Sequence, residues 1–225
     1  MPNIIVKSNH PAYEARRNAL PKTDRFNGAY YYSKDIENII CPLLTTDRPI
    51  NVLGIKECGG EDHMIVFVHH YINVAKRYSW LAQYKDLIIV SSDAKADKVL
   101  RHFGKVIHLP LSVNTEEIKK HCVEKKTEDA CFYGNPWGFR RQEIEELVPP
   151  EVHRFGAMPR EKAWDIIAKY KYCYAIGLAA IEASVLGCKL RMSRYRYPNP
   201  AQSFPVLDCR DAAQMLQRAL DILEK

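Results

Sequence analysis

Met64-Ile65-Val66-Phe67-Val68, Leu87-Ile88-Ile89-Val90 and Val106-Ile107-His108-Leu109 are short apolar runs that recur at intervals through residues 64 to 109. Runs of four to six apolar residues that alternate with helical patterns are how βα units feeding a parallel sheet read. The first interval predicts a helix over about 72–84. After the second run, Ser91-Ser92-Asp93 offers a cap for a helix to about residue 103, and Gly104 stops it.

Working outward, residues 110–127 contain Pro110 and a run rich in Lys and Glu, with no strand signal, and mark either a lobe boundary or one exposed helix within a single domain. Beyond them the alternation restarts. Ala130-Cys131-Phe132-Tyr133 reads as a strand ending in the loop Gly134-Asn135-Pro136-Trp137-Gly138, and Val152-His153-Arg154-Phe155-Gly156 reads as another. Pro159 opens a helix to about residue 170. Tyr172-Cys173-Tyr174-Ala175-Ile176 is a strand, residues 179–186 a short helix closed by Gly187, and 188–192 a further strand. Residues 211–223 form an amphipathic final helix. In the first 63 residues Ile4-Ile5-Val6 and Ile50-Asn51-Val52-Leu53 are strand candidates, while 28–44 fits strand or helix. The expected fold class is α/β, with parallel sheets in two Rossmann-like lobes at 1–115 and 116–225.

Totals narrow the class of protein. Across 225 residues, 47% hydrophobic and 27% charged composition supports a packed core and argues against disorder. A net charge of +6, with Lys and Arg scattered, supports a weak attraction for anionic ligands and does not argue for nucleic acid binding. Seven cysteines without a C-x-x-C pair make a disulfide frame or zinc ribbon improbable. With no signal-like N-terminus and no run of about 18 apolar residues, a reducing cytoplasm is the expected location, and no transmembrane segment is expected.

Three segments together resemble the retaining glycosyltransferase family often labelled group one, whose fold is GT-B. Val66-Phe67-Val68-His69-His70, then Val90-Ser91-Ser92, then Leu109-Pro110-Leu111-Ser112-Val113-Asn114 is similar to that family's exit from its N-terminal lobe, with Leu111-Ser112 replacing an Asn-Gly. In Gly134-Asn135-Pro136-Trp137-Gly138-Phe139-Arg140, Gly134 matches the glycine of a Gly-Arg pair, Asn135 replaces the arginine, and Arg140 falls where a lysine sits. The segment from Gly177 to Gly187 is similar to Gly-Leu-x-x-x-Glu-Ala-x-x-x-Gly, with Glu182 as the second Glu of a Glu, seven residues, Glu signature. The first Glu would fall at Tyr174, so the signature is incomplete.

The residues suggest a chemistry of their own. A helix opening with Gly177-Leu178-Ala179 after a buried strand presents unpaired N–H groups and a positive dipole end, which suit a pyrophosphate; the alternative is that Gly177 merely ends the strand. Arg140 and Arg141 would begin a helix where cations oppose the dipole, which favours an anion nearby. The resemblance implies that Glu182 holds ribose hydroxyls, that His69 lines the donor sugar, and that Phe155, Gly156 and Met158 lie near the base; a solvated helix glutamate is the alternative for Glu182. The tandem His69-His70 lacks a partner at ligand spacing, so no metal is expected. Tyr30-Tyr31-Tyr32 and Arg194-Tyr195-Arg196-Tyr197 interleave aromatics with charge, and the second invites a nucleic acid or stacking reading, the alternative being a loop that packs its rings on the lobe surface.

The expected function is transfer of a sugar from a nucleoside diphosphate donor, UDP-type on base rate alone, to an acceptor that is a carbohydrate, a protein or DNA. The catalytic set would be His69, Arg140 and Glu182. The donor site would be Gly134, Asn135, Arg140, Arg141, Phe155, Gly156, Met158, Tyr174, Gly177, Leu178, Ala179 and Glu182. The competing readings are a non-catalytic GT-B-like nucleotide or nucleotide-sugar binding module, which Tyr174 and Asn135 favour, and a glycosyltransferase acting on DNA bases.

Overall fold

The computed structural model describes residues 2–19, 28–56, 60–69, 73–133, 148, 151–155, 158–175, 177–191 and 206–225. The fold is α/β with parallel sheets, and the chain divides into two compact units. One comprises Met1–Arg17, Tyr32–Pro110 and Cys209–Lys225, the other Asn18–Tyr31 and Leu111–Asp208.

The first unit is built on a five-stranded parallel sheet in sequential order: β1 (Ile4–Val6), β2 (Ile50–Asn51), β3 (Ile65–Val68), β4 (Ile88–Ser91) and β5 (Lys105–His108). The central strands β3 and β4 are buried along their whole length, as strands covered on both faces must be. On one face Met64, Val66, Val68, Leu87 and Ile89 pack with Val74, Tyr78, Trp80, Leu81, Ala96 and Leu100. Residues expected as one helix over 72–84 instead form α3 (Val74–Arg77) and a 3-10 turn (Ser79–Gln83). The break falls at Tyr78, fully buried with φ −106° and ψ 11°, and Asn73 enters at φ 52°. Sinking the Tyr78 ring into the core takes precedence over continuing the helix. Helix α4 (Ala94–Leu100) is capped by Asp93, whose Oδ1 accepts from the N–H groups of Lys95 (2.7 Å) and Ala96 (3.1 Å), and it ends three residues before the expected stop.

Helix α1 (Pro11–Asn18) follows β1, and ahead of β2 residues 28–44, which fit strand or helix, are helical: α2 (Gly28–Asp35), a π-helix (Ile36–Ile40) and a 3-10 turn (Cys41–Leu43). The long amphipathic helix α8 (Cys209–Leu223) packs on the π-helix, burying Cys209, Ala212, Ala213, Leu216 and Leu220. Buried Arg48 fastens it, with Nε 3.0 Å from Glu224 and Nη2 2.8 Å from Asp86.

In the second unit a four-stranded parallel sheet runs β10 (Lys189–Arg191), β9 (Tyr170–Ala175), β7 (Glu128–Tyr133), β8 (His153–Arg154). Helices α6 (Arg160–Ile167) and α7 (Leu178–Val185) lead into β9 and β10, giving the βα alternation expected from sequence. The segment read as strand-free holds β6 (Ser112–Val113), which pairs in parallel with β11 (Leu207–Asp208), and the short helix α5 (Thr115–Lys119). The pairing is sealed by Asp208, whose Oδ2 accepts from the Thr115 hydroxyl (2.6 Å) and N–H (3.0 Å). A two-residue strand whose partner lies 95 positions away leaves no periodic signal.

Candidate functional site

In a parallel sheet the strands' C-terminal ends are where helix N-termini and loops converge on a ligand. In the second unit Tyr133 ends β7, Arg160 begins α6, and Gly177 precedes α7, so all three stand at that edge. Gly177 has φ 58° and ψ −136°, a conformation open to glycine, and a Cβ there would meet nothing within 4 Å. No side chain caps the helix. The first turn therefore offers backbone N–H groups without intrahelical partners, at the positive end of the dipole.

Glu182, one turn on, is 2% exposed. Its Oε1 accepts from Arg160 Nε at 2.5 Å and its Oε2 from the Tyr133 hydroxyl at 2.5 Å. The Arg160 guanidinium lies 4.8 Å from the centre of the Trp164 ring and 5.4 Å from that of Tyr31, and the Arg160 N–H donates to the Tyr31 hydroxyl oxygen at 3.1 Å. Burial and then the Glu182 charge push the Tyr133 hydroxyl's pKa well up, so it remains a proton donor. A buried carboxylate is tolerable because cation and hydroxyl meet it on both oxygens. The helix glutamate is thus the centre of a desolvated polar cluster.

Arg160 and Tyr133 were not among the expected site residues. The signal for Arg160 is present in the sequence: an arginine at a helix's first position opposes the dipole, the same argument that singles out Arg140 and Arg141.

Of the other expected donor residues, Gly134, Asn135, Arg140, Arg141 and Gly156 lie outside the described residues. Leu178 is buried and Ala179 half-buried in the first turn of α7, beside Gly177. Met158 is half-buried two residues before Arg160. The Phe155 ring lies against His153 (4.6 Å) and Tyr170 (5.7 Å), the first residue of β9, at the end of the strand away from Gly177. Tyr174 packs against the cluster of Phe132, Val148 and Val152, and with Tyr170, Tyr172 and Arg191 it lines a groove of about 460 Å³.

In the first unit His69 follows β3 at the C-terminal edge. Asn51 shapes its surroundings: fully buried, it accepts from the N–H groups of Leu53 (3.2 Å) and Gly54 (2.8 Å), and this turn presents the Val52 carbonyl to His69 Nε2 at 2.5 Å. Ser33 Oγ is 3.3 Å from the same nitrogen, and the ring meets Tyr32 edge-on. The carbonyl acceptor requires Nε2 to carry the hydrogen, which leaves Nδ1 as a lone pair, buried and without a partner among the described residues. Burial brings the pKa down to about 4, so the ring is neutral. His70 lies outside the described residues.

Among the described residues no group of three or more His, Cys, Asp or Glu side chains could hold a metal ion, and no helix is long and apolar enough to cross a membrane. The six described cysteines are free thiols. No protein-family model matches the chain, and a search of curated proteins finds no match.

Proposed function

We propose that this chain is a glycosyltransferase of GT-B type that takes a nucleoside diphosphate sugar, its diphosphate received by the N-terminal turn of α7 and its ribose by Glu182. The observation that carries the reading is the arrangement of the segment resembling the family signature. Its glycine has positive φ and open space, and its glutamate is a buried carboxylate at the sheet's C-terminal edge. The Tyr133 hydroxyl on Oε2 makes the contact that a ribose hydroxyl would make, so ribose binding exchanges one O–H donor for another. Arg160 holds Oε1 throughout, and Arg140 supplies charge to the leaving diphosphate.

The test is thermal denaturation with UDP and GDP, each with and without EDTA. A ligand at 100 times its Kd stabilises by about 2.7 kcal/mol, and the expected result is the same upward shift in Tm with EDTA present. No shift with any nucleoside diphosphate refutes the donor site; a shift that EDTA abolishes refutes its metal independence. The second reading, a binding module without transfer, is favoured by Tyr174, which stands at the first Glu of the signature and packs on Phe132, Val148 and Val152. Nucleotide binding without release of nucleotide from any sugar donor selects it.

A further inference from the structure

We propose that the groove of about 460 Å³ on the four-stranded sheet of the second unit binds a neutral oligosaccharide. The site stands apart from the nucleotide reading, because its tyrosines lie on the sheet face opposite the one from which Tyr133 meets Glu182.

Strand β9 supplies Tyr170, Tyr172 and Tyr174, which alternate onto one face of the sheet, while Cys173 between them is fully buried on the other. The parallel register sets Ala130 of β7 beside Tyr172 and Phe132 beside Tyr174, and sends Cys131 and Tyr133 to the opposite face. Ala130 is the small residue of this row. The room it leaves beside Tyr172, with Val152 and His153 beyond it, is the groove. Its volume falls within the range of about 300–1,000 Å³ for small-ligand sites. Tyr172 and Tyr174 are half-buried, seated in the sheet yet in reach of a ligand.

The polar lining decides the class of ligand. Arg191, the last residue of β10, holds its guanidinium 3.9 Å from the centre of the Tyr172 ring and makes no ion pair among the described residues. Stacking on the ring fixes this long side chain and keeps its N–H donors in the groove wall. Glu128, Asp129 and Glu151 stand at the N-terminal ends of the strands. Glu128 Oε1 has the Thr127 hydroxyl at 3.4 Å, and the carboxylates of Asp129 and Glu151 have no partner among the described residues. A guanidinium only donates and a carboxylate only accepts, so a ligand that satisfies both must do each at neighbouring positions, as sugar hydroxyls do. Tyrosine rings meet the apolar C–H faces of a sugar and offer a hydroxyl at their tips. A phosphate chain, nucleic acid included, would face three negative charges for one positive, and an ammonium would be opposed by the guanidinium.

The extent of the groove favours a chain of sugars over a single ring. All three tyrosines line it, and from Tyr170 to Tyr174 the strand advances about 13 Å, at about 3.3 Å per residue. Tyr174 thereby gains a use of its own: where the incomplete signature lacks a carboxylate, the chain places a ring that walls the groove and packs on Phe132, Val148 and Val152.

The experiment is isothermal titration calorimetry of the full chain with cellohexaose, maltohexaose, mannohexaose and chitotetraose, with spermidine and a heparin tetrasaccharide as charged probes. Expected is saturable binding of at least one neutral oligosaccharide, with amide shifts in NMR centred on Ala130, Tyr172 and Arg191. Its Kd should hold as NaCl rises from about 0.05 to 0.5 M, since no net charge is neutralised. Tyr172→Ala should weaken it at least about 10-fold, Arg191→Ala by about 10-fold, and Tyr172→Phe, which keeps the ring, by less than either. Arg191 is exposed, so its replacement leaves the fold intact and tests the groove even if Tyr172→Ala unfolds. Failure of all four neutral oligosaccharides to bind overturns the proposal, as does binding that Arg191→Ala leaves unchanged. Tighter, salt-dependent binding of spermidine or heparin at the same amides overturns it in favour of a charged ligand. The UDP and GDP Tm shifts are read in the same variants: their absence alongside oligosaccharide binding sinks only the donor site, and their presence without it sinks only the groove.

Discussion

Replacing either member of the Arg160–Glu182 pair should expose how strongly the second unit depends on its buried polar cluster. Both side chains are almost sealed from water, at 5% and 3% exposure, so removing one leaves a charge that solvent cannot reach. Breaking such a pair costs about 3–5 kcal/mol. The two singles should differ within that range. Glu182→Gln removes the carboxylate from a guanidinium that still lies over Trp164 and Tyr31, contacts worth about 1–2 kcal/mol when desolvated, so its cost falls near the lower end. Arg160→Met leaves the buried carboxylate with the Tyr133 hydroxyl on Oε2 and no cation on Oε1, and also loses the ring contacts, so its cost falls near the upper end. In the double variant Arg160→Met/Glu182→Leu no charge is left buried, and the main remaining cost is the unpaired Tyr133 hydroxyl, about 1–3 kcal/mol. The double should therefore be more stable than either single, with a coupling energy of about 3 kcal/mol or more, at the top of the range for residues in contact. The assay is urea unfolding followed by tryptophan fluorescence, to which Trp164 contributes from beside the guanidinium. Single losses below about 1 kcal/mol that simply add in the double would refute the buried-pair reasoning.

Histidine 69 should give stability a pH dependence: its folded pKa is about 4 against 6.5 when unfolded, so the unfolded chain binds the proton first as pH falls. Its contribution is fully present above pH 6.5 and declines by up to about 3 kcal/mol as pH drops to 4; His69→Gln should flatten that slope in urea titrations between pH 4 and 7, and an unchanged slope would assign it to other groups. Gly177→Ala should cost about 1–3 kcal/mol through backbone strain alone, because its Cβ meets open space, whereas Gly54→Ala drives a Cβ to 2.1 Å from the Phe67 carbonyl oxygen and should exceed about 4 kcal/mol. Equal urea midpoints for the two variants would contradict this ordering.

How much could be read in advance follows from how local each signal is. The runs at 64–68 and 87–90 became β3 and β4 nearly as written, because strands buried on both faces are apolar at almost every position, and the run at 106–109 became the edge strand β5, where only Ile107 is buried. The Asp93 cap and the glycine-closed α7 were legible for the same reason, since their partners lie within a few residues. What escaped depends on distant partners. The β6–β11 pairing, the docking of α8 on the π-helix, and the break at Tyr78 are decided by groups far along the chain. Glu182 was singled out from a local motif, yet the identity of its partners, Tyr133 and Arg160, required the strand order that places β7 beside β9.

Several polar groups that the two units hold at low exposure stand at the C-terminal ends of their strands, whereas buried Arg48 lies with Asp86 at the opposite edge of the first sheet. In the first sheet those at the C-terminal ends are Asn51, His69 and Ser91, with Asp97 held against His108. In the second they are Tyr133, Arg160 and Glu182. None is required to close a parallel sheet, whose backbone bonds are complete without them, and each carries a desolvation cost that an apolar side chain of similar volume would avoid. A fold selected for stability alone would place such groups at random or not at all. Arg48 has a packing role, fastening α8, whereas the groups at the C-terminal edge stand where parallel sheets present ligand sites, which is an argument about use. It also says how to separate the two: apolar replacement of a whole cluster, as in the Arg160/Glu182 double variant, should keep the fold while removing whatever the cluster binds.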